Sequence, residues 1–267
     1  MARPRTTLTV QRTEWLTPHL IRVHLGGPGF AAFRPSEFTD SYVKFIFPQD
    51  GNEVLRTYTV RSVDPVAEEI AVDFVFHGAE GIAGPWAAEV APGATIDLYG
   101  PGGAYAPRPD ADWHLLAGDE AALPAIAAAL EALPAEATGL AFIEVAGPDD
   151  ELPVKQPDGI ELTWLHRGVR PPGELLAETV RAAPWAPGQV QVFIHGEAKS
   201  VMQDLRRYVR KERGVPAEWA ASISGYWRRG RTEEGFREWK AELRATEEAD
   251  GRTVNRPSRS SPRSRPR

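Results

Sequence analysis

The segment Arg56-Thr57-Tyr58-Thr59-Val60-Arg61 combines fixed cations, a flat aromatic ring and hydroxyl groups on one short run of strand-forming residues. Side chains alternate along a strand, so Arg56 and Tyr58 share one face while Thr59 and Arg61 take the other. Arginine can bind a pyrophosphate through paired hydrogen bonds, tyrosine can stack on a flavin ring, and threonine can hydrogen-bond that ring near N5. Taken alone, the six residues favour an ordinary strand, and flavin binding is the alternative.

Short alternating runs separated by turn residues surround this segment up to about residue 105. The pattern is typical of an antiparallel barrel or sandwich, because alternation gives each strand two different faces. We expect a β-barrel domain over residues 1–106, with one helix at 85–90. The predicted strands lie at 6–14, 19–25, 41–47, 56–62, 69–76 and 95–99.

Beyond Pro107 the pattern changes to buried apolar strands that alternate with longer amphipathic segments, which is typical of a parallel α/β sheet. We expect an α/β domain over residues 107–250, followed by a disordered Arg/Ser/Pro-rich tail at 251–267. A barrel followed by a nucleotide-type sheet is the plan of a two-domain oxidoreductase. The predicted strands lie at 113–117, 139–146, 160–166, 189–195 and 219–225, and the predicted helices at 121–133, 173–183, 198–213 and 232–246.

Composition narrows the possible functions of the 267 residues, which include no cysteine and carry a formal net charge of −6. Thiol redox chemistry and iron–sulfur ligation are excluded, so electron transfer requires a bound organic cofactor. The 6 histidines are dispersed, which argues against a protein-bound catalytic metal. The net negative charge of the chain argues against nucleic acid as a partner. With neither a long apolar run nor a secretory signal in the sequence, we expect a cytoplasmic monomer without a membrane span.

A glycine-rich segment at 77–86 follows a predicted strand and leads into a short helix. Backbone N–H groups at such a junction can hold an anion such as a pyrophosphate, although tight turns also require glycine. Asp73 and His77 are four residues apart, which would place them on one face of the strand and within reach of a flavin. A strand-end role for His77 is the alternative.

Polar residues also follow several of the predicted parallel strands, where dinucleotides dock in α/β folds. Asp119 and Glu120 follow the first such strand, Arg167 the third and Glu197 the fourth. A helix cap is the alternative role for Asp119, because aspartate is a favoured capping residue. No G-x-G-x-x-G fingerprint occurs at this position, so taken alone the site is weak support for nicotinamide binding.

The order of these segments resembles the siderophore-interacting proteins, which are FAD-dependent ferric-siderophore reductases of the ferredoxin-reductase-like superfamily. The resemblance extends from about Thr6 to Gly230. Its segments are Arg56-Thr57-Tyr58-Thr59, Asp73-Phe74-Val75-Phe76-His77-Gly78, Gly100-Pro101-Gly102-Gly103, Gly118-Asp119-Glu120-Ala121-Ala122-Leu123-Pro124-Ala125-Ile126, Gly196-Glu197-Ala198 and Gly225-Tyr226-Trp227-Arg228-Arg229-Gly230.

The resemblance implies FAD in the barrel domain, with Arg56 on the diphosphate, Tyr58 against the isoalloxazine and Thr59 near N5. Tyr58 and Thr59 are then the candidate catalytic residues. The resemblance also implies that the second domain brings NAD(P)H to the flavin. The remaining candidate cofactor contacts are Thr57, Arg61, Asp73, His77, Gly81, Ile82, Ala83, Gly84 and Trp86 for FAD, and Asp119, Glu120, Arg167, Glu197, Tyr226 and Trp227 for the nucleotide or the domain junction.

Three positions depart from the family pattern. Gly84 stands where a serine or threonine hydroxyl often assists the phosphate, and Ala121 replaces a frequent threonine. Gly147-Pro148 interrupts an acidic run after the second parallel strand. Each change removes a side-chain contact but leaves the backbone in place, so cofactor affinity is affected more than the fold.

The function implied by the resemblance is electron transfer from NAD(P)H through FAD to a ferric siderophore, with release of ferrous iron. An anionic ferric chelate requires a basic rim, for which the candidates are Lys44, Arg61, Lys199 and Arg228. The alternatives are a flavin reductase that serves a partner protein such as an oxygenase, and a non-catalytic siderophore-binding protein. Glu144 and the pair at 149–150 favour NADH, whereas Arg167 favours NADPH.

Overall fold

The protein is described by a computed structural model that covers residues 4–254. The chain divides into two units after Trp227, and each unit is described by itself. The first unit contains a barrel and a parallel sheet. The second begins at Arg228 and contains one helix, α4 (Glu233–Val254). This helix extends four residues into the predicted tail, and the rest of the tail lies outside the described residues.

Six antiparallel strands form a closed barrel in the order β1-β2-β5-β4-β3-β6, which confirms the predicted architecture. Closure pairs the two outermost strands and so leaves no open edge. A short helix, α1 (Ala83–Glu89), lies between β5 and β6. The strands are β1 (Arg5–Thr17), β2 (Leu20–Gly26), β3 (Tyr42–Gln49), β4 (Asn52–Asp64), β5 (Glu69–Val75) and β6 (Thr95–Gly102).

The interior of the barrel is filled by the apolar face of each strand. Phe45 on β3 and Phe74 on β5 are fully buried, and their ring centroids are 5.4 Å apart. Trp86 on α1 packs against both rings. Helix α1 therefore contributes an aromatic side chain to the barrel core. Through the contact with Phe74 the helix packs against β5.

The second half of this unit is a five-stranded sheet in the order β11-β10-β7-β8-β9, in which every neighbouring pair is parallel. The predicted α/β architecture is confirmed. The carboxyl ends of parallel strands meet at one edge, so residues after β7, β8, β9 and β10 are brought together there. The elements are β7 (Trp113–Asp119), α2 (Leu123–Ala132), β8 (Thr138–Val145), β9 (Gly159–His166), α3 (Glu174–Ala182), β10 (Val190–Glu197) and β11 (Ser222–Trp227).

Several boundaries differ from those predicted. The helix expected at 198–213 contains π-helical turns at Lys199–Leu205 and Tyr208–Glu212. The last strand begins at Ser222 instead of residue 219, and α1 begins at Ala83, two residues early. Apolar periodicity does not distinguish a π-turn from an α-turn, because both keep one face of the helix apolar.

Two ion pairs connect the barrel to the elements of the sheet. Arg61 on β4 binds Glu131 on α2 through two hydrogen bonds of 2.6 and 2.9 Å. His19, in the turn between β1 and β2, contacts the buried carboxylate of Asp150 at 2.8 Å. The two contacts use different elements on each side, so the barrel is attached to the elements of the sheet through two independent pairs of residues.

Candidate functional site

The central segment of β4 adopts the predicted alternation. Arg56 lies opposite Phe45 on β3, and Tyr58 lies opposite Val43, so both share a face with the barrel interior. The Tyr58 ring is 4.3 Å from that of Phe74. Arg56 and Tyr58 are nevertheless only half-buried, so neither side chain is enclosed by the core. One side of the Tyr58 ring therefore rests on the aromatic cluster.

The glycine-rich segment is linked to this part of β4 by an aromatic cluster. The ring of Phe74 on β5 lies 4.3 Å from the ring of Tyr58 and 5.5 Å from the ring of Trp86 on α1. The cluster therefore connects α1 to the strand that carries Arg56 through one intervening ring. Gly81 has a φ of 77°, which turns the chain into the helix, and Ile82 occupies the N-cap position.

Gly84 makes the closest approach between α1 and β5. A Cβ at this position would be 2.9 Å from the carbonyl oxygen of Val75 and 3.5 Å from the Cα of Phe76. Such a contact is too short for most side chains, so glycine allows the helix to pack directly on the strand.

The predicted pairing of Asp73 and His77 on one strand face is wrong. Strand β5 ends at Val75, so His77 lies in the exposed loop that follows. Asp73 is buried, and its carboxylate accepts two hydrogen bonds from Arg22 at 2.7 and 2.9 Å. The alternating pattern continued through Phe76, but the strand loses its partner before His77 is reached.

The β4 segment and the start of α1 together fit the phosphate and ring of a flavin dinucleotide. Arg56 supplies a half-buried cation, and Ala83 and Gly84 at the start of α1 supply N–H groups that have no acceptor within the helix, whereas Pro85 has no N–H and Trp86 donates to Ile82. Tyr58 supplies a flat surface backed by other rings. The donors suit an anion and the ring suits an aromatic ligand, so the residues present are chemically compatible with FAD.

Thr59 connects β4 to the parallel sheet. Its side chain is buried and interacts with the phenol of Tyr226 on β11, where it acts to lower the pKa of that group. Burial, and then the negative charge of Asp40, raise the pKa of the Tyr226 phenol, so this hydroxyl stays protonated. The Tyr226 ring also packs on His195, with centroids 4.5 Å apart. Tyr226 therefore lies where β11 approaches β4, and its contact with a cofactor stays a prediction.

The carboxylate of Asp119, at the end of β7, is surrounded by N–H donors. Its Oδ1 accepts from the backbone N–H of Ala121 at 3.0 Å. Its Oδ2 accepts from the N–H of Glu197 at 2.8 Å and from the indole Nε1 of Trp227 at 2.7 Å. The side chain is 1% exposed. Burial, followed by the charge of Glu120, raises the pKa of Asp119 to about 7.

Two other carboxylates at this edge of the sheet, those of Glu197 and Glu144, accept hydrogen bonds from backbone N–H groups. Glu197 accepts hydrogen bonds from the N–H groups of Lys199 and Ser200, and so caps the helix that follows β10. The buried Glu144 accepts from the N–H groups of Gly173 and Leu176 at 2.7 and 2.9 Å, which caps α3. Burial raises the pKa of Glu144. Each carboxylate therefore fixes the start of a helix.

Glu120 and Arg167 form a largely buried ion pair that joins the ends of β7 and β9. Arg167 was predicted to meet a nucleotide phosphate, and Glu120 to contact the nucleotide. The structure brings the two side chains together. A nucleotide that binds either side chain would therefore have to compete with this ion pair.

The four candidate cations for a basic rim occupy different elements. Lys44 on β3 lies opposite Thr57, and Lys199 is exposed at the start of a π-helical turn. Arg61 is bound to Glu131. Arg228 belongs to the second unit, where its guanidinium lies 4.3 Å from the centre of the Trp239 ring. Their role in substrate binding stays a prediction.

Comparison with protein families assigns both halves of the chain. Residues 111–230 match the model of the siderophore-interacting protein family. Residues 9–55 and 47–105 match the siderophore-interacting FAD-binding domain. The chain belongs to the siderophore-interacting protein family. The family's FAD-binding domain coincides with the barrel, and its second part coincides with the parallel sheet.

This siderophore-interacting protein is similar to two relatives along most of its length. It is 55% identical to an uncharacterised protein of Mycobacterium tuberculosis strain H37Rv, over 92% of this chain and 98% of the relative. It is 32% identical to the ferric vibriobactin reductase ViuB of Vibrio cholerae, over 85% of this chain and 90% of that protein. The similarity to a ferric-siderophore reductase thus covers both halves of the molecule.

Solved structures agree with the family assignment. The siderophore-interacting protein SipS from Aeromonas hydrophila has a TM-score of 0.79 and 29% identity, covering 91% of this chain and 99% of that one. A ferredoxin NADP+ reductase from Neisseria gonorrhoeae has a TM-score of 0.60 and 17% identity, covering 78% and 92%. The second likeness shows the fold alone, which is that of the ferredoxin reductases.

Sequence reasoning on this family member missed two residues that shape the site, Asp40 and Glu131, and gave a third, Asp150, a different role. Asp40 accepts hydrogen bonds from the N–H groups of Ala104 and Tyr105, which fixes the segment between barrel and sheet. Glu131 and Asp150 form the ion pairs across the junction. None of the three lies in a recognisable motif, and their partners are at least 64 residues away in the sequence.

Proposed function

We propose that the protein is an FAD-dependent reductase that transfers electrons from NAD(P)H to ferric siderophores and releases ferrous iron. The observation that carries this proposal is the location of the segment 56–59. Its Tyr58 ring is linked to Trp86 of α1 through the ring of Phe74, and its Thr59 side chain interacts with Tyr226 of the parallel sheet. The similarity to ViuB over both halves supports the same conclusion.

Bound FAD would supply the chemistry of accepting a hydride from a nicotinamide and donating single electrons to an acceptor. Arg56 and the first-turn N–H groups of α1 are proposed to hold the diphosphate. Tyr58 is proposed to support the ring system and to keep water away from one side of it. The hydroxyl of Thr59 is proposed to hydrogen-bond the ring edge near N5.

The nucleotide is proposed to dock at the carboxyl edge of the sheet. Helix caps by Glu144 and Glu197 fix the loops at this edge before any ligand binds. Arg167 remains the proposed phosphate contact, although its present partner is Glu120. The choice between NADH and NADPH therefore depends on whether a 2′-phosphate can compete with a buried carboxylate for this guanidinium.

The siderophore is proposed to bind as an anionic ferric chelate at the exposed rim. The described residues hold no group of three or more His, Cys, Asp or Glu side chains suited to a metal ion. In this proposal the iron keeps its siderophore ligands until it is reduced. Lys44 and Lys199 are the proposed cationic contacts.

Steady-state oxidation of NADH and of NADPH tests the proposed function. The FAD-loaded protein should oxidise a reduced nicotinamide rapidly only when a ferric siderophore is present, and a ferrous-specific chelator should report the reduced iron. A gallium-loaded siderophore is the matched control, because Ga(III) resembles Fe(III) in size and charge but accepts no electron. Equal rates with both complexes would refute iron reduction, and faster turnover with a ferredoxin or an oxygenase would indicate a protein acceptor.

A further inference from the structure

Asp119 joins the carboxyl ends of three neighbouring strands. It ends β7, accepts the backbone N–H of Glu197 at the end of β10, and accepts the indole N–H of Trp227 at the end of β11. These strands are adjacent in the order β11-β10-β7. A single buried carboxylate therefore couples the ends of three of the five strands.

The backbone of β10 is shaped to admit this carboxylate. Gly196 has a φ of 142°, and a Cβ built there would lie 2.7 Å from the Oδ2 of Asp119. No larger residue could keep both the backbone angle and the contact. The sequence pairs Gly118-Asp119 and Gly196-Glu197, which both suggest nucleotide binding, thus meet in one hydrogen-bonded contact.

The pairing of β10 with β11 contains a bulge at Tyr226. Gly196 is opposite Gly225, but Glu197 is opposite Trp227, so Tyr226 is the extra residue. A bulge re-aims the side chain that it inserts. Here the hydroxyl of that side chain reaches Thr59 of the barrel. Trp227 follows directly, and its indole is held by Asp119.

We propose that Asp119 is a positioning residue that, by holding the indole of Trp227, fixes the β11 bulge and keeps the Tyr226 hydroxyl on Thr59. This inference deepens the proposed function, since Thr59 is the proposed neighbour of flavin N5. Asp119 acts through two side chains and three strands, and its carboxylate need not contact the nucleotide. A change at the nucleotide edge of the sheet is thereby transmitted to the flavin edge of the barrel.

NMR of the protein without cofactor tests the first part of this proposal. The indole N–H resonance of Trp227, assigned from its loss in Trp227→Phe, should shift in Asp119→Asn and should change with pH as Asp119 titrates. Asp158→Asn is the matched control, because Asp158 is an exposed carboxylate in the loop just before β9. An indole resonance that is identical in wild type and Asp119→Asn would overturn the proposal, whether or not the protein binds FAD.

A double-mutant cycle on FAD affinity tests the second part. Asp119→Asn, Trp227→Phe and Tyr226→Phe should each weaken FAD binding by about tenfold, the magnitude of one lost hydrogen bond. Asp119→Asn should cause no further loss in a Tyr226→Phe background, because its effect passes through that hydroxyl. Losses that simply multiply would contradict the proposal. If Asp119→Asn does not fold, Trp227→Phe removes the same hydrogen bond from the other side and supports the same cycle.

Discussion

The phenol of Tyr226 on β11 interacts with Thr59 on β4, so the parallel sheet meets the barrel at the strand that carries Arg56 and Tyr58. Tyr226 occupies a bulge, and a bulge is a common means of aiming one side chain out of a regular strand. The contact joins the proposed flavin segment to the proposed nucleotide edge. Each of the following predictions depends on one of these two regions.

Removing the cation of the β4 segment should weaken FAD binding more than it affects folding. Arg56→Ala is expected to raise the dissociation constant of FAD by one to two orders of magnitude, roughly the value of a charge-assisted bidentate hydrogen bond. Flavin fluorescence during titration measures the constant. Arg5→Ala is the control, since Arg5 is an exposed barrel arginine paired with Glu53 and Asp97. Equal FAD affinities for the two variants would show that Arg56 does not contribute to FAD binding.

Tyr58 should act through its ring and not through its hydroxyl. Tyr58→Phe is expected to keep FAD affinity within about threefold of wild type, because the ring contact with Phe74 is retained. Tyr58→Leu should lose both the affinity and the quenching of flavin fluorescence. Thermal unfolding without cofactor shows whether the leucine variant is folded. If leucine binds FAD as well as phenylalanine does, stacking is not the role of this side chain.

Restoring the family hydroxyl at Gly84 should destabilise the protein without improving FAD binding. A Cβ here would lie 2.9 Å from the carbonyl oxygen of Val75, so Gly84→Ser and Gly84→Ala should both lower the free energy of unfolding by about 1–3 kcal/mol. Denaturant unfolding measures the loss. A serine variant that binds FAD tenfold more tightly than the alanine variant would show that α1 shifts easily and that the hydroxyl contributes.

Arg61 should be a structural residue of the junction. The charge exchange Arg61→Glu with Glu131→Arg should recover most of the stability that either single change removes, with a coupling of about 0.5–1 kcal/mol for this partly exposed pair. The Michaelis constant for ferric siderophore should stay near the wild-type value in the exchanged protein. An increase of tenfold or more in the exchanged protein would instead assign Arg61 to the chelate.

The buried carboxyl of Asp119 predicts a pH dependence of stability. Its pKa is raised to about 7 by burial and by the charges of Glu120 and Glu144, against the hydrogen bonds from Trp227 and Ala121. The folded protein therefore holds this proton more tightly than the unfolded chain, in which aspartate titrates near pH 4. The stabilisation from the bound proton is complete below about pH 4 and is lost as the pH rises through about 7.

The measurement is the free energy of unfolding of wild type minus that of Asp119→Asn at several pH values. This difference should decrease between about pH 4 and pH 7 and should level off at higher pH. A difference that does not change with pH would show that the folded and unfolded states bind this proton equally.

The sequence predicted the barrel, the parallel sheet and the alternation at Arg56 and Tyr58, because these follow from local periodicity. It could not predict what the carboxylates bind. From the sequence, Glu144 and Asp150 are predicted to repel a 2′-phosphate. In the structure Glu144 caps α3 and Asp150 binds His19. Both partners are far away in the sequence, so local pattern carries no information about them.

The bulge at Tyr226 could not be predicted from the sequence either, for a different reason. A bulge depends on how two strands align, and the residues Gly225-Tyr226-Trp227 fit a regular strand equally well. The strand end before His77 is a similar case, since alternation continues after the hydrogen-bonded partner is lost. Register and strand length are set by pairing, which a single strand does not encode.

Anaerobic stopped-flow absorption tests the central claim most directly. The protein loaded with FAD should lose its flavin absorbance on mixing with NADH or NADPH, and the absorbance should return rapidly when a ferric siderophore is added. The gallium complex of the same siderophore should leave the flavin reduced. Recovery that is no faster with iron than with gallium, or a protein that stays colourless in excess FAD, would contradict the proposed reductase.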